Sequence, residues 1–253
     1  MTTMTLTPRP STRSVILSID PSSTVTAVLR SDANGARAVR TQAGRLPASA
    51  PFVMEDSEAA LTGPISYTVI ETTGWGSPAS GVTALDLPAS VFEVTMAMAP
   101  VLSATPHLVT GYTASRTSHT TLHEVIGRAD PVASVGPLGT RTGTLTLFCT
   151  GYDAARVVER VYSRSQVVLL RQAAYAGMDM YHVTTQVTME PESIETDRWR
   201  VSVDYTEVAY PPGDQIGTLG WSIDDLTATG LRVSGVPLVY PTVADLTLGP
   251  VGA

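Results

Sequence analysis

The sequence predicts a mostly β protein: an N-terminal immunoglobulin- or fibronectin-like β-sandwich, a larger β-rich (α+β) domain with one packed helix, and an extended C-terminal arm. Three observations carry this. Threonine and valine recur side by side, the combination that a pleated, half-buried surface favours. Apolar–polar alternations with a period of two are broken at short intervals by Gly, Pro, Asn and Asp. Only one stretch, residues 152–163, repeats its apolar positions at helical spacing.

The first domain is read over residues 1–74. SVILSI at 14–19 is a strand followed by an Asp-Pro-Ser turn. Residues 25–30 alternate, with Val25, Ala27 and Leu29 assigned to one face. Asn34–Gly35 before 36–40 is the strongest short-range hairpin signal. Residues 52–55 and 65–71 supply two more strands, and short strands at this spacing suggest an immunoglobulin- or fibronectin-type sandwich. GWGSPASG at 74–81 is rich in Gly, Ser and Pro and marks the boundary.

The second domain is read over residues 82–212. Residues 91–97 and 108–115 are extended, 116–130 is polar without a period, and 135–139 is a Gly/Pro-rich loop. TGTLTLFCT at 142–150 places Leu145, Leu147 and Cys149 on one face. The helix follows, with Thr150 and Asp153 spaced as a capping box and Ala154, Val157, Val158 and Val161 as its apolar stripe. Strands at 166–170, 180–189 and 198–209 complete the domain. The second of these groups Tyr181, Val183, Thr185 and Val187; the third groups Trp199, Val201, Val203 and Tyr205. Residues 213–253 lose all periodicity and read as an arm, either ordered against a neighbouring subunit or disordered in solution.

Composition excludes several function classes. At 253 residues the chain has room for two modest domains, and 15% charged with 43% hydrophobic residues excludes an acidic disordered segment. A net charge of −7 argues against general affinity for nucleic acid or anionic lipid. All sixteen basic residues are arginine. A GC-rich coding sequence explains this; selection for planar, fork-shaped contacts at assembly interfaces is the functional alternative. Without lysine there is no P-loop lysine, Schiff-base lysine or kinase-type phosphate-pairing lysine. The single Cys149 permits no intrachain disulfide and reads as a small buried hydrophobe. Residues 1–10 lack the apolar core of a signal peptide, and no apolar run approaches a membrane span.

Candidate chemistry is sparse. His119 and His123 are four apart with Glu124 following, but a metalloprotease places its glutamate after the first histidine, and Thr120 and Thr121 disfavour a helix. His107 and His182 lie in strand-like contexts without evident partners. Residues 136–143 (GPLGTRTG) are glycine-rich but lack a lysine. Glu55, Asp56, Glu58, Asp224 and Asp225 read as solvated loop carboxylates rather than a glycosidase pair. No catalytic, metal-binding or cofactor-binding residue is assigned, and the chain is read as a non-enzyme. Of Trp75, Trp199 and Trp221, Trp75, in a Gly-rich loop, is the better candidate for a glycan contact, because Trp199 falls on an apolar strand face.

TSHTTLHEVIGRADPVASVGPLGTRTGTLTLF, residues 117–148, resembles a recurrent pattern in minor tail proteins of tailed bacteriophages that infect actinobacteria. Its landmarks are a histidine before Val-Ile-Gly-Arg-x-Asp-Pro and an Arg-Thr-Gly-Thr-Leu strand. VVLLRQ (167–172), GMDMYHV (177–183), WRVSVDYTEV (199–208), RSDANGARAVR (30–40) and PTVADLTLGP (241–250) also match. The resemblance implies a distal-tail-like second domain and a structural role in the tail tip or baseplate. It further implies a virion location after assembly in the host bacterial cytoplasm, and a homo-oligomeric ring at the end of the tail tube; the sequence does not give the ring order, whether three or six subunits or none. Implied partners are the chain itself, the tail tube, other tail-tip proteins and, as a further candidate, the tape measure protein. The alternative is a carbohydrate-binding adhesin at the tail tip that contacts host cell-wall glycans.

Overall fold

The structure, a computed structural model, describes residues 1–42, 45–72, 78–108, 112–164, 166–175, 178–193, 195 and 197–215. It is mostly β, with one α-helix among the described residues. That helix is too short to cross a membrane.

Seven antiparallel strands come first: β1 (Thr3–Arg9), β2 (Ser14–Asp20), β3 (Val25–Asp32), β4 (Gly35–Ala38), β5 (Phe52–Asp56), β6 (Ile65–Glu71) and β7 (Ser80–Thr83). They divide into sheets of order β1-β2-β5 and β4-β3-β6-β7, the sandwich that the turn spacing predicts. Val15, Leu17 and Ile19 of β2 and Phe52 and Met54 of β5 pack against Val25, Val28, Ile65, Tyr67 and Val69. The Asn34–Gly35 hairpin forms with Ala33 and Asn34 as its loop, Asp32 paired with Gly35, and Gly35 at φ +97°. Asp32 Oδ1 accepts the Asn34 amide at 2.9 Å, which fixes the turn.

Two of these strands differ from the sequence reading. β1 runs through the Thr/Pro-rich start, and β7 lies across the boundary assigned at 74–81. Both are edge strands that alternate only between exposed and half-buried positions, with Met4 and Leu6 as the inward apolar residues of β1, so their pattern is weaker than that of a strand with a buried face. The face assigned within 25–30 is also corrected. A bulge between Val25 and Ala27 shifts the pairing by one residue, so Val28 and Arg30 point inward and Leu29 outward.

The remaining strands are β8 (Phe92–Met96), β9 (Ser103–Ala104), β10 (His107–Leu108), β11 (Thr121–His123), β12 (Val132–Ser134), β13 (Thr142–Thr150), β14 (Val168–Gln172), β15 (Met180–Ser193) and β16 (Arg198–Val208), with helix α1 (Tyr152–Tyr162) between β13 and β14. Seven of them form one sheet of order β10-β13-β16-β15-β14-β8-β9. Its two edge strands, β9 and β10, are separated by only Thr105 and Pro106. Three residue steps span at most about 10 Å, so the sheet curls until its edges nearly meet. Helix α1 packs on the concave face: Ala155, Val158, Val161 and Tyr162 join Leu145, Leu147, Cys149, Leu170, Val201 and Val203 in one core.

Strands β13 and β16 bury the residues that their alternation selects. Three other expectations are corrected. The helix begins after Gly151, at φ 98°, with no side-chain cap, because Thr150 is still paired to Arg198 as the last residue of β13. The buried stripe starts at Ala155; Ala154 and Val157 face outward. In β15 a bulge between Thr184 and Gln186 flips the faces. Met180 and His182 therefore point inward before it, and Val187 and Met189 after it.

Residues 211–215 lie on the body rather than in a free arm. Arg40 Nη2 donates to the Pro211 carbonyl at 2.9 Å, its Nη1 donates to that of Gly213, and the buried Gln215 donates its amide to Thr41 at 2.8 Å. The rest of the segment read as an arm, residues 216–253, falls outside the described residues.

Gly143 is needed for close approach. A Cβ there would sit 1.9 Å from the Thr113 carbonyl oxygen, inside the pairing of residues 113–115 with β13 (Thr113 amide to Thr144, Ser115 with Thr142). Gly143→Ala is expected to pry these strands apart and cost about 2 kcal/mol. Amide exchange should then accelerate at Thr113, Ser115 and Thr142 while β14 stays protected.

Candidate functional site

Two features stand out: a set of buried arginines that ties the first sandwich to the second sheet, and an exposed hairpin. The arginines come first because they explain the fate of the predicted carboxylates. Arg30, on the inward face of β3, sends Nη1 to Asp56 Oδ1 and Oδ2 at 2.8 and 3.0 Å. Its Nε lies 3.0 Å from Asp32 Oδ2, in ion-pair contact but off the N–H direction. The Tyr67 hydroxyl and the Glu58 amide also donate to Asp56, each at 2.9 Å. Burial opposes the Arg30 charge, yet Asp56 and Asp32 raise its pKa above the ordinary value.

Arg40 and Arg171 reach across. Arg40 Nε donates to Glu58 Oε1 at 2.9 Å, and the Tyr181 hydroxyl of β15 donates to Glu58 Oε2 at 3.2 Å. Arg171 of β14 pairs through Nε and Nη2 with Glu93 of β8. It also donates to the Ala59 carbonyl at 2.7 Å and the Arg13 carbonyl at 3.0 Å. All these arginine and carboxylate side chains are at most 2% exposed. A guanidinium satisfies several acceptors in one plane, as an ammonium cannot.

The reading of Glu55, Asp56 and Glu58 as solvated is therefore corrected: all three are buried. Burial, set against the Ser14 hydroxyl for Glu55 and Arg40 for Glu58, raises both glutamate pKa values. Their partners lie up to 123 residues away in sequence, so no local pattern announces the contacts. Asp224 and Asp225 lie outside the described residues.

The second feature is a hairpin arm. Its root is fastened to the sheet: Tyr112 stacks on Tyr205 at 6.2 Å, and the Tyr205 hydroxyl donates to the Thr113 carbonyl at 3.0 Å. Arg141 Nε and Nη2 grip Glu207 at 2.9 and 2.7 Å, holding that carboxyl below its usual range. Beyond this root the chain runs outward through a Ser118–Leu138 bridge and the β11–β12 pair. It turns at Gly127, φ +87°, where the Arg128 amide donates to the Val125 carbonyl at 3.1 Å. Leu122, Val125, Ile126, Val132, Val135 and Leu138 are all exposed, Ile126 completely and Val135 at 85%.

The predicted histidines separate. His119 and His123 lie exposed on the arm, with His123 paired to Val132 in β11–β12, so their spacing does not place them on a helix. His107 is exposed in β10, opposite Phe148. His182, read as unpartnered, is fully buried with the Tyr162 hydroxyl 3.2 Å from Nε2. Burial pushes its pKa down to about 4. Among the described residues no three metal-ligating side chains cluster. Cys149 is buried, which raises its thiol pKa to about 11. Trp199 packs against the core and meets the Tyr152 ring in a tilted contact, centroids 4.9 Å apart. Trp75 and Trp221 lie outside the described residues.

No family model matches the chain, and no curated protein matches it.

Proposed function

We propose that the chain is a non-enzymatic structural protein of the tail tip or baseplate of an actinobacterial phage, forming or joining a homo-oligomeric ring at the distal end of the tail tube. The observation that carries this reading is the arm. An isolated two-stranded hairpin is at best marginally stable in water, and this one exposes six large apolar side chains. Such a surface is suited to burial in an interface. The same segment, 117–148, carries the resemblance to tail proteins.

A projecting arm that docks on a different patch of the next copy makes a head-to-tail contact, which closes into a ring when the rotation allows. The tail tube, neighbouring tail-tip proteins and the tape measure protein are the further partners of this reading, and the virion is its location. Replacing Leu122, Val135 and Leu138 together by serine should leave the circular dichroism spectrum and melting intact, because all three are solvent-facing. The same variant should convert the oligomer to monomer in native mass spectrometry. A wild-type chain that is strictly monomeric and never enters virions, or a triple variant that still assembles, defeats the proposal.

A further inference from the structure

Where the β3–β4 hairpin meets β15 and β16, a cleft of about 410 Å³ opens, within the range of small-molecule sites, about 300–1,000 Å³. Its walls carry three arginines, Arg30, Arg37 and Arg141, and three carboxylates, Glu58, Asp179 and Glu207. Four of these six are already matched. Arg30 is held by Asp56 and Asp32, Glu58 by Arg40, and Arg141 and Glu207 hold each other.

Arg37 and Asp179 are the exceptions. Arg37 lies over the rings of Tyr181 and Tyr210, 5.5 Å from each centroid, and the rings meet edge to face at 5.3 Å. Stacking fixes the guanidinium while leaving its in-plane donors available. No carboxylate pairs with it among the described residues. Asp179 accepts only neutral donors there, Asn34 Nδ2 at 2.8 Å and the Gln172 amide at 2.9 Å, and no arginine forms an ion pair with it. Burial is the main cause that holds its carboxyl up to about 6, against the weaker pull of its two hydrogen bonds and of Arg171, whose guanidinium is itself paired with Glu93.

One cleft thus presents an unmatched cation on β4 and an unmatched carboxylate just before β15. An anion alone would meet three carboxylates, and a cation alone three guanidinium groups. We infer that the cleft binds a small zwitterion, an amino acid or short peptide, whose carboxylate meets Arg37 and whose ammonium meets Asp179. Such a ligand satisfies both charges without adding net charge to a wall that is otherwise neutralised.

The test is calorimetric titration of the full chain with glycine, γ-aminobutyrate, diglycine and triglycine, with acetate and methylammonium as controls. At least one zwitterion should bind about tenfold or more tighter than either control, a difference read directly from the dissociation constants. The span that binds best separates a free amino acid from a peptide. Arg37→Gln and Asp179→Asn, each checked for folding by circular dichroism, should each remove that advantage.

Affinity should also fall as pH drops through about 6, since a protonated Asp179 no longer attracts an ammonium. The groups facing Asp179 are Asn34 and Asp32 from the β3–β4 hairpin, Arg171 and Gln172 from β14, and Arg141 Nη2 at its carbonyl. No binding across the series at millimolar concentration, equal binding of the controls, or unchanged binding by the two variants overturns the inference. Because the titration does not require assembly, its failure and that of the ring proposal are separate results.

Discussion

Arg30→Met is expected to lower stability by about 3–5 kcal/mol, the usual cost of removing one partner from a buried ion pair. The guanidinium is 2% exposed and its partners Asp56 and Asp32 are no more than 1% exposed. The substitution therefore strands two carboxylates in a site that water does not reach. Methionine roughly fills the alkyl stem, so cavity formation is a minor part of the loss. Urea denaturation of wild type and variant checks the size. Adding Asp56→Asn should return part of the loss, because it removes one stranded charge while its Oδ1 still accepts the Glu58 amide and its Nδ2 donates to the Tyr67 hydroxyl oxygen, which turns from donor to acceptor. A single-variant loss under about 1 kcal/mol, the value typical of solvent-exposed pairs, would show that the pair is solvated after all.

That network is also what the sequence could not reveal. Strands β13 and β16 were legible because each has one buried and one half-buried face, so their alternation survives in Leu145, Leu147 and Cys149 and in Val201, Val203 and Tyr205. Faces were misread where a bulge inserts a residue, at Val25–Ala27 and Thr184–Gln186, since a period of two cannot survive an odd insertion. Arg30 offered one hint: a charged residue within an apolar strand has to find a partner or avoid burial. Its partner Asp56 lies 26 residues on, and Arg171 lies 78 residues from Glu93, so the pairing became visible only in three dimensions. The arm was read as polar and irregular for a related reason. A hairpin exposed on both faces has no inside to impose a period. The absence of lysine acquires a physical counterpart here, since Arg30, Arg40 and Arg171 each serve several acceptors at once.

The second large effect is a pair of opposed acid responses. His182 has a folded pKa of about 4 against an ordinary value of 6.5. Its burial as a neutral imidazole therefore supports the fold fully above pH 6.5, and the support is lost as pH falls toward 4. The loss amounts to about 3 kcal/mol at 1.36 kcal/mol per pKa unit. Asp179 works the other way. Its folded pKa is raised from 3.8 to about 6, so the folded protein keeps a proton that the unfolded chain has released. That costs nothing below pH 3.8 and grows to about 3 kcal/mol above pH 6. Glu55 and Glu58, also raised by burial, share the sign of Asp179. Between pH 6 and 4 the wild-type protein should thus show a shallow stability profile, because the two responses offset. Asp179→Asn should be more stable than wild type near pH 7 and lose stability steeply on acidification, exposing the histidine response. His182→Gln should instead gain stability over the same interval. Urea midpoints at half-unit pH steps decide the matter: parallel profiles for the three proteins would mean that neither group titrates with the fold. Asparagine at 179 can still accept from Asn34 or the Gln172 amide, so a fall in its stability at pH 7 would mean that the carboxylate is countercharged and would count against the cleft proposal as well.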